Sequence, residues 1–178
     1  DPCNAIAITP GSSCVMSVYS NVGATNSGVA NPGCANYAGA DIWFSAIVPA
    51  SGNLRVKCEG MSPVWDGGVA LYSGTCGSLS LITCEGNGSF MPDIVVTGQT
   101  PGSTIFIRFW EEGGNAFGNF RLCVMEPVVT TYDNPCDAVF AAPTTSCVLN
   151  TYSLHGATDS GLPNPGCGNY QGNDVWIK

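Results

Sequence analysis

The sequence predicts an all-β protein: an antiparallel β-sandwich of jelly-roll type, repeated in tandem and held by disulfides. Three observations predict it. About eight short apolar runs recur, separated by turn signals at roughly ten-residue spacing. Gly (23) and Pro (12) punctuate them, and no helical periodicity runs longer than a turn. Ten cysteines and one histidine occur without a single Cys-x-x-Cys, which suits a disulfide framework and not a zinc site.

The elements follow in order. Residues 14–19 (Cys-Val-Met-Ser-Val-Tyr) read as a strand, and 20–40 as a loop rich in Gly, Asn and Pro that contains Cys34. Residues 41–48 are a mixed apolar run, which predicts a strand buried on both faces. In 53–58, Leu54, Val56 and Cys58 share one face, and Arg55 and Lys57 the other. Residues 68–73 and 79–84 flank a hairpin-like Gly-Thr-Cys-Gly-Ser, and 93–97 form the next strand. Residues 103–110 alternate clearly: Ile105, Ile107 and Phe109 face one way, Thr104, Phe106, Arg108 and Trp110 the other. Residues 119–124 close the unit.

The chain then begins again. Residues 2–45 and 135–178 align without a gap at an offset of 133, and 23 of the 44 pairs are identical. A period this long means a repeated domain. The expected layout is a complete sandwich over 1–126, a linker over 127–134, and the first third of a second repeat over 135–178. A fragment of about three strands has no sheet to cover its apolar face. It is expected to dock on another copy or to continue in a longer polypeptide.

Net charge is −8 with only five Lys and Arg. No basic patch can neutralise phosphates, so nucleic acid is excluded as a partner. Docking on an anionic membrane is excluded on the same ground. No apolar run reaches the length of a membrane span. Disulfides place the chain outside the cytoplasm, extracellular or at the cell surface.

Seven cysteines fall in the complete unit. Sequence alone leaves their connectivity open. The pairings expected are Cys76–Cys84 across the hairpin, Cys3–Cys14 locally, with Cys136–Cys147 as its repeat, and Cys34–Cys123. Cys58 remains as a buried thiol or the donor of an intermolecular bridge, and Cys167 has no partner.

Catalytic constellations are absent. The one histidine, His155, lies in the partial copy opposite Val22, so no Ser/His/Asp or Cys/His arrangement exists in the complete unit. Glu111 and Glu112 are adjacent and would point to opposite faces of a strand, which does not suit paired-carboxylate hydrolysis. Asp66 and Asp93 are the weak calcium candidates, with Glu85 and Asp41 beside them; otherwise no cofactor is expected. Asp41 recurs as Asp174 just before Trp43 and Trp176, the pattern of an Asp satisfying loop amides beside a core Trp. Trp65, in a loop, and Tyr37 are the candidate ligand contacts, because rigid aromatic faces stack on sugar rings; Trp110 and Phe117 are lesser ones.

Cys-Asn-Ala-Ile at 3–6, Gly-Ala-Thr at 23–25, Pro-Gly-Cys at 32–34, Asp-Ile-Trp-Phe at 41–44, Leu-Tyr-Ser-Gly-Thr-Cys-Gly at 71–77 and Ile-Arg-Phe-Trp-Glu at 107–111 together resemble a repeat of large secreted and surface proteins of gliding Bacteroidota. That repeat is similar to the pre-peptidase C-terminal β-sandwich. The resemblance implies export by the type IX system and a place in adhesins, filaments or accessory regions of secreted enzymes, without catalysis. The family's acidic stretch after the second hairpin cysteine, suited to calcium, is here Glu85-Gly86-Asn87-Gly88. Asn87-Gly88-Ser89 matches a glycan acceptor pattern, without bearing on a bacterial protein. Two functions are therefore carried forward. One is a structural or adhesive surface array whose partners are its own copies. The other is a carbohydrate-binding accessory module.

Overall fold

The structure is a computed structural model describing residues 1–178 except 87–89, 128–131, 153, 155, 156, 169, 171 and 173. The glycan-acceptor triplet and His155 thus lie outside the described residues. The chain divides into two units, Asp1–Pro127 and Val128–Lys178.

Among the described residues, the first unit contains nine strands: β1 (Ile6–Ile8), β2 (Ser17–Ser20), β3 (Ile42–Ile47), β4 (Leu54–Gly60), β5 (Gly68–Thr75), β6 (Ser78–Glu85), β7 (Asp93–Val96), β8 (Thr104–Trp110) and β9 (Asn119–Met125). They form a five-stranded sheet, β1-β3-β8-β5-β6, and a four-stranded one, β2-β9-β4-β7. The sheets face each other as a sandwich. The named strands pair antiparallel except that β1 runs parallel to β3, and Gly11 adds an isolated parallel bridge to Met125. The three residues of β1 fall in the short apolar alternation at the start of 3–22, which is too brief to predict a strand.

The inner faces meet in one core. Leu54, Val56 and Cys58 from β4 and Phe120, Leu122 and Val124 from β9 pack against Phe44, Leu71, Ile105, Ile107 and Phe109 of the other sheet. Phe109 stacks on Phe120 with centroids 3.8 Å apart, joining the two layers through the largest apolar side chains available. Cys58 is free and buried there; burial first, then the charges of Asp93 and Glu85, push its thiol far up, so it behaves as a small hydrophobe.

The five-stranded sheet is buried on its outer face as well. Trp43, Ala70, Tyr72, Phe106 and Trp110 form a second cluster, covered by Val29, Cys34, Ala35 and Tyr37 from the loop between β2 and β3. This explains why β3, β5 and β8 read as near-continuous apolar runs. One glycine makes the cover possible: a Cβ on Gly68 would lie 2.2 Å from the Trp110 indole.

Three disulfides are present, and none is an expected pair. They join Cys3 to Cys76, Cys14 to Cys123 and Cys34 to Cys84. Cys76 lies in the turn beyond the Thr75–Ser78 pair, whereas Cys84 pairs with Ala70 near the far end of β6. Six strand residues separate them by roughly 20 Å, far beyond the roughly 7 Å a bridge can span. Cys3 and Cys14 are near in sequence but serve different sheets. Cys3 precedes β1 and meets the β5–β6 turn; Cys14 precedes β2 and meets β9. That anchorage also ends the strand expected from 14: Cys14, Val15 and Met16 are irregular, and β2 starts at Ser17. In the chain-entropy account, loops of 73, 109 and 50 residues give roughly 4 kcal/mol or more per bridge.

In the second unit, Val139 bridges Ile177 in parallel. Cys136, Cys147 and Cys167 are free and exposed, so the expected Cys136–Cys147 bridge is not formed. The reason lies in the first unit, where the counterparts Cys3 and Cys14 reach Cys76 and Cys123 instead of each other.

Candidate functional site

The most developed polar site of the first unit grows from Arg108. It stands in mid-β8 on the outward face, between Phe106 and Trp110. Its Nε donates to Asp41 Oδ2 at 2.6 Å, Nη1 to the Ala30 carbonyl at 2.8 Å, and Nη2 to the Val29 carbonyl at 3.1 Å and to the Tyr37 hydroxyl. The guanidinium carbon lies 4.1 Å from the Tyr37 ring centroid and 5.3 Å from that of Trp43. Both charged side chains are wholly buried. A buried ion pair persists only where its remaining donors and acceptors are also largely satisfied, and here four of the five guanidinium N–H groups donate. Asp41 also accepts from the Ser27 amide at 3.0 Å, the Ser27 hydroxyl at 2.7 Å and the Tyr37 hydroxyl at 3.1 Å. Burial, then the Asp41 charge, raises the Tyr37 phenol above its ordinary value.

The arrangement is a clamp. Arg108 belongs to the sheet; every partner it holds belongs to the β2–β3 loop or its junction with β3. Trp110 Nε1 adds a bond to the Ala35 carbonyl at 2.8 Å, and Cys34–Cys84 closes the same loop covalently. The Asp satisfying loop amides is as the sequence suggested. Its buried cation was missed, although a signal exists: Arg108 is a lone cation on an otherwise aromatic strand face, in a chain with five Lys and Arg. Tyr37, expected as a ligand contact, is half-buried beside this site. Its ring lies beneath Arg108 and edge-on to Trp110 at 5.4 Å.

No family model matches this chain, and no curated protein matches it. Among solved structures, it is similar to the pre-peptidase C-terminal domain of a collagenase from Bacillus anthracis. The identity is 10%, covering 68% of this chain and 94% of that one, with a TM-score of 0.41.

Trp65 is placed differently. It follows the turn closed by the Met61–Val64 bridge, where Val64 is fully buried. Its indole lies along the Gly60 backbone and is 63% exposed. Phe117 is exposed too, whereas Trp43 and Trp110 are core. An exposed Trp on a fixed turn is a surface able to stack on a flat partner.

Of the acidic candidates only Glu85 and Asp93 meet: the Glu85 carboxyl accepts from the Asp93 backbone amide. Asp93 receives Arg55 Nε and Nη2 on its two oxygens at 2.7 and 2.6 Å. Asp66 is hydrogen-bonded to Glu111, whose carboxyl is raised, first by burial and, among smaller causes, by that neighbour. Glu111 and Glu112 leave β8 into a short 3-10 turn and are both buried, not displayed on opposite strand faces. Among the described residues, no three His, Cys, Asp or Glu are grouped to hold a metal ion. None of the described helices is long and apolar enough to cross a membrane. Three disulfides assign the chain to an oxidising compartment.

Proposed function

We propose that this chain is a non-catalytic extracellular module with a structural or adhesive role, part of a cell-surface adhesin or filament built from serial copies. The observation that carries the reading is the way the polar and covalent features are used. The buried ion pair, the aromatic cluster and three long-range disulfides all fasten loop to sheet or strand to turn. Such fastening resists extension and proteolysis, which shape-based roles require. Export by the type IX system, and the surface of a gliding bacterium as the setting, rest on the sequence resemblance and belong to the same proposal. The partners are neighbouring copies. Electron microscopy of the native material is expected to show fibres with a repeat near one domain length; isolated globular particles would remove the array.

One observation favours a second reading, a carbohydrate-binding accessory module: the exposure of Trp65 on its fixed turn. Glycan-array binding that collapses in Trp65→Ala would support it. Binding that persists in that variant would eliminate the site.

A further inference from the structure

Two exposed aromatics of the first unit share one end of the sandwich. Trp65 lies in the β4–β5 connection and Phe117 in the β8–β9 connection. Both connections leave the sheets at the end where Gly60 pairs with Phe120 and Gly68 with Trp110. They are also fastened to each other. A Cβ on Gly118 would lie 2.6 Å from Pro63 Cδ, so Pro63 is seated on the backbone next to Phe117. A Cβ on Gly60 would lie 3.1 Å from Trp65 Cα and 3.1 Å from its indole Cε3. Only glycine permits both approaches.

Asn21, fully buried, holds the Phe117 segment from the β2 side. Its Nδ2 donates to the Ala116 carbonyl at 3.0 Å, and its Oδ1 accepts from the Gly118 amide at 2.7 Å. The Asn21 amide and the Ser20 hydroxyl both donate to the Gly118 carbonyl, each at 3.1 Å. The residues on either side of Phe117 are thus fixed, while Phe117 itself is 48% exposed. On the other turn, the Met61 amide donates to the Val64 carbonyl at 2.8 Å and Val64 is wholly buried. Rings carried on anchored backbone lose little freedom when a ligand covers them.

The immediate surroundings are neutral. Ser62 and Asn119, exposed beside Pro63 and Gly118, offer a hydroxyl and an amide. Asp66, next to Trp65, is hydrogen-bonded to Glu111. The cations of the first unit are committed elsewhere. Arg108 is buried against Asp41, Arg55 pairs with Asp93, and Lys57 and Arg121 share Glu59. An anionic ligand would find no counter-charge here.

We propose that Trp65 and Phe117 form one platform for a neutral oligosaccharide longer than a single sugar. This rests on the carbohydrate reading above and extends it from one residue to two, with a ligand class. The flat apolar face of a sugar ring covers one aromatic face, so two aromatics on separate turns call for at least two rings. Ser62 and Asn119, neutral donors and acceptors at the Pro63–Gly118 contact, suit sugar hydroxyls and fix their orientation.

The test applies the full chain to an array of immobilised neutral and uronic-acid glycans, graded from monosaccharide to hexasaccharide. Neutral disaccharides and longer chains are expected to bind, with monosaccharides at least roughly tenfold weaker. High salt should leave this binding unchanged. Trp65→Ala and Phe117→Ala should each weaken it roughly tenfold, with an unaltered melting transition, since both side chains are exposed. A loss in Trp65→Ala with Phe117→Ala within twofold of the parent would overturn the platform and leave the Trp65 reading standing. Binding to no neutral glycan, or binding indifferent to Trp65→Ala, would overturn both. A preference for acidic glycans that fades with salt would overturn the proposal. Self-association in sedimentation that is lost in Trp65→Ala would do the same, with a second copy as the occupant.

Discussion

Asp41 and Asp174 occupy the same loop frame with opposite outcomes. In the first unit the carboxylate meets a buried guanidinium, and both side chains are fully removed from solvent. In the second, the same serine and tyrosine partners hold a carboxylate beside an open cavity. The loop geometry therefore does not depend on the arginine. Local bonds from Ser27 or Ser160 set the carboxylate in place, and the cation then locks it to the sheet. The frame is local in sequence; the lock is long-range, joining residues 67 apart.

That distinction breaks most visibly when the lock is removed. Arg108→Ala leaves Asp41 charged, buried and unpaired, and should destabilise the first unit by about 3–5 kcal/mol. Urea unfolding followed by the core tryptophans measures it. Adding Asp41→Asn to Arg108→Ala should recover part of the loss, because no unpaired charge then remains. A loss below about 1 kcal/mol for Arg108→Ala would mean that the loop is held by Cys34–Cys84 and packing alone.

A finer contrast sets the two aspartates against each other. Asp41→Asn weakens a charge-assisted bond to a buried guanidinium and should lower first-unit stability by roughly 1.5–3 kcal/mol. Asp174→Asn should leave the same transition within about 0.5 kcal/mol, as expected for independent sites. Equal effects would show that the two loops are not separable.

The smallest effect is on pH dependence, and its sign differs between carboxyls. Glu111 is raised, chiefly by burial. Its folded form keeps its proton to higher pH than the unfolded chain, so its contribution to stability declines as pH rises from the ordinary glutamate value through the raised one. Asp174 is lowered, chiefly by Ser160. Its contribution is present above the ordinary aspartate value and fades as pH falls through the lowered one. Carboxyl-carbon NMR titration should place the two midpoints on opposite sides of their ordinary values.

Much of the sandwich was legible because its information is local. Period-two alternation in 54–58 and 104–110 fixes which side chains face inward, and the aromatic content of β3 and β8 announces burial on both faces. The parallel strand β1 was hidden by its length. Disulfide connectivity was illegible for a different reason. Cys76 and Cys84 flank a hairpin on paper, yet one lies in its turn and the other far along one arm. Cys3 and Cys14 are neighbours in sequence but are sent to different sheets. Sheet assignment decides the pairing, and sequence proximity does not encode it. Arg108 was visible as an odd residue on an aromatic face; only the fold brings it to Asp41.

Covalent bridges clamp distant segments of the two-layered sheet fold. Peptide mapping of the unreduced protein by mass spectrometry, after alkylation of accessible thiols, tests this most directly. The expected result is three linked pairs, Cys3 with Cys76, Cys14 with Cys123 and Cys34 with Cys84, with Cys136, Cys147 and Cys167 alkylated and Cys58 labelled only after unfolding. Recovery of Cys76 with Cys84 and Cys3 with Cys14, or of these six as free thiols, would contradict it.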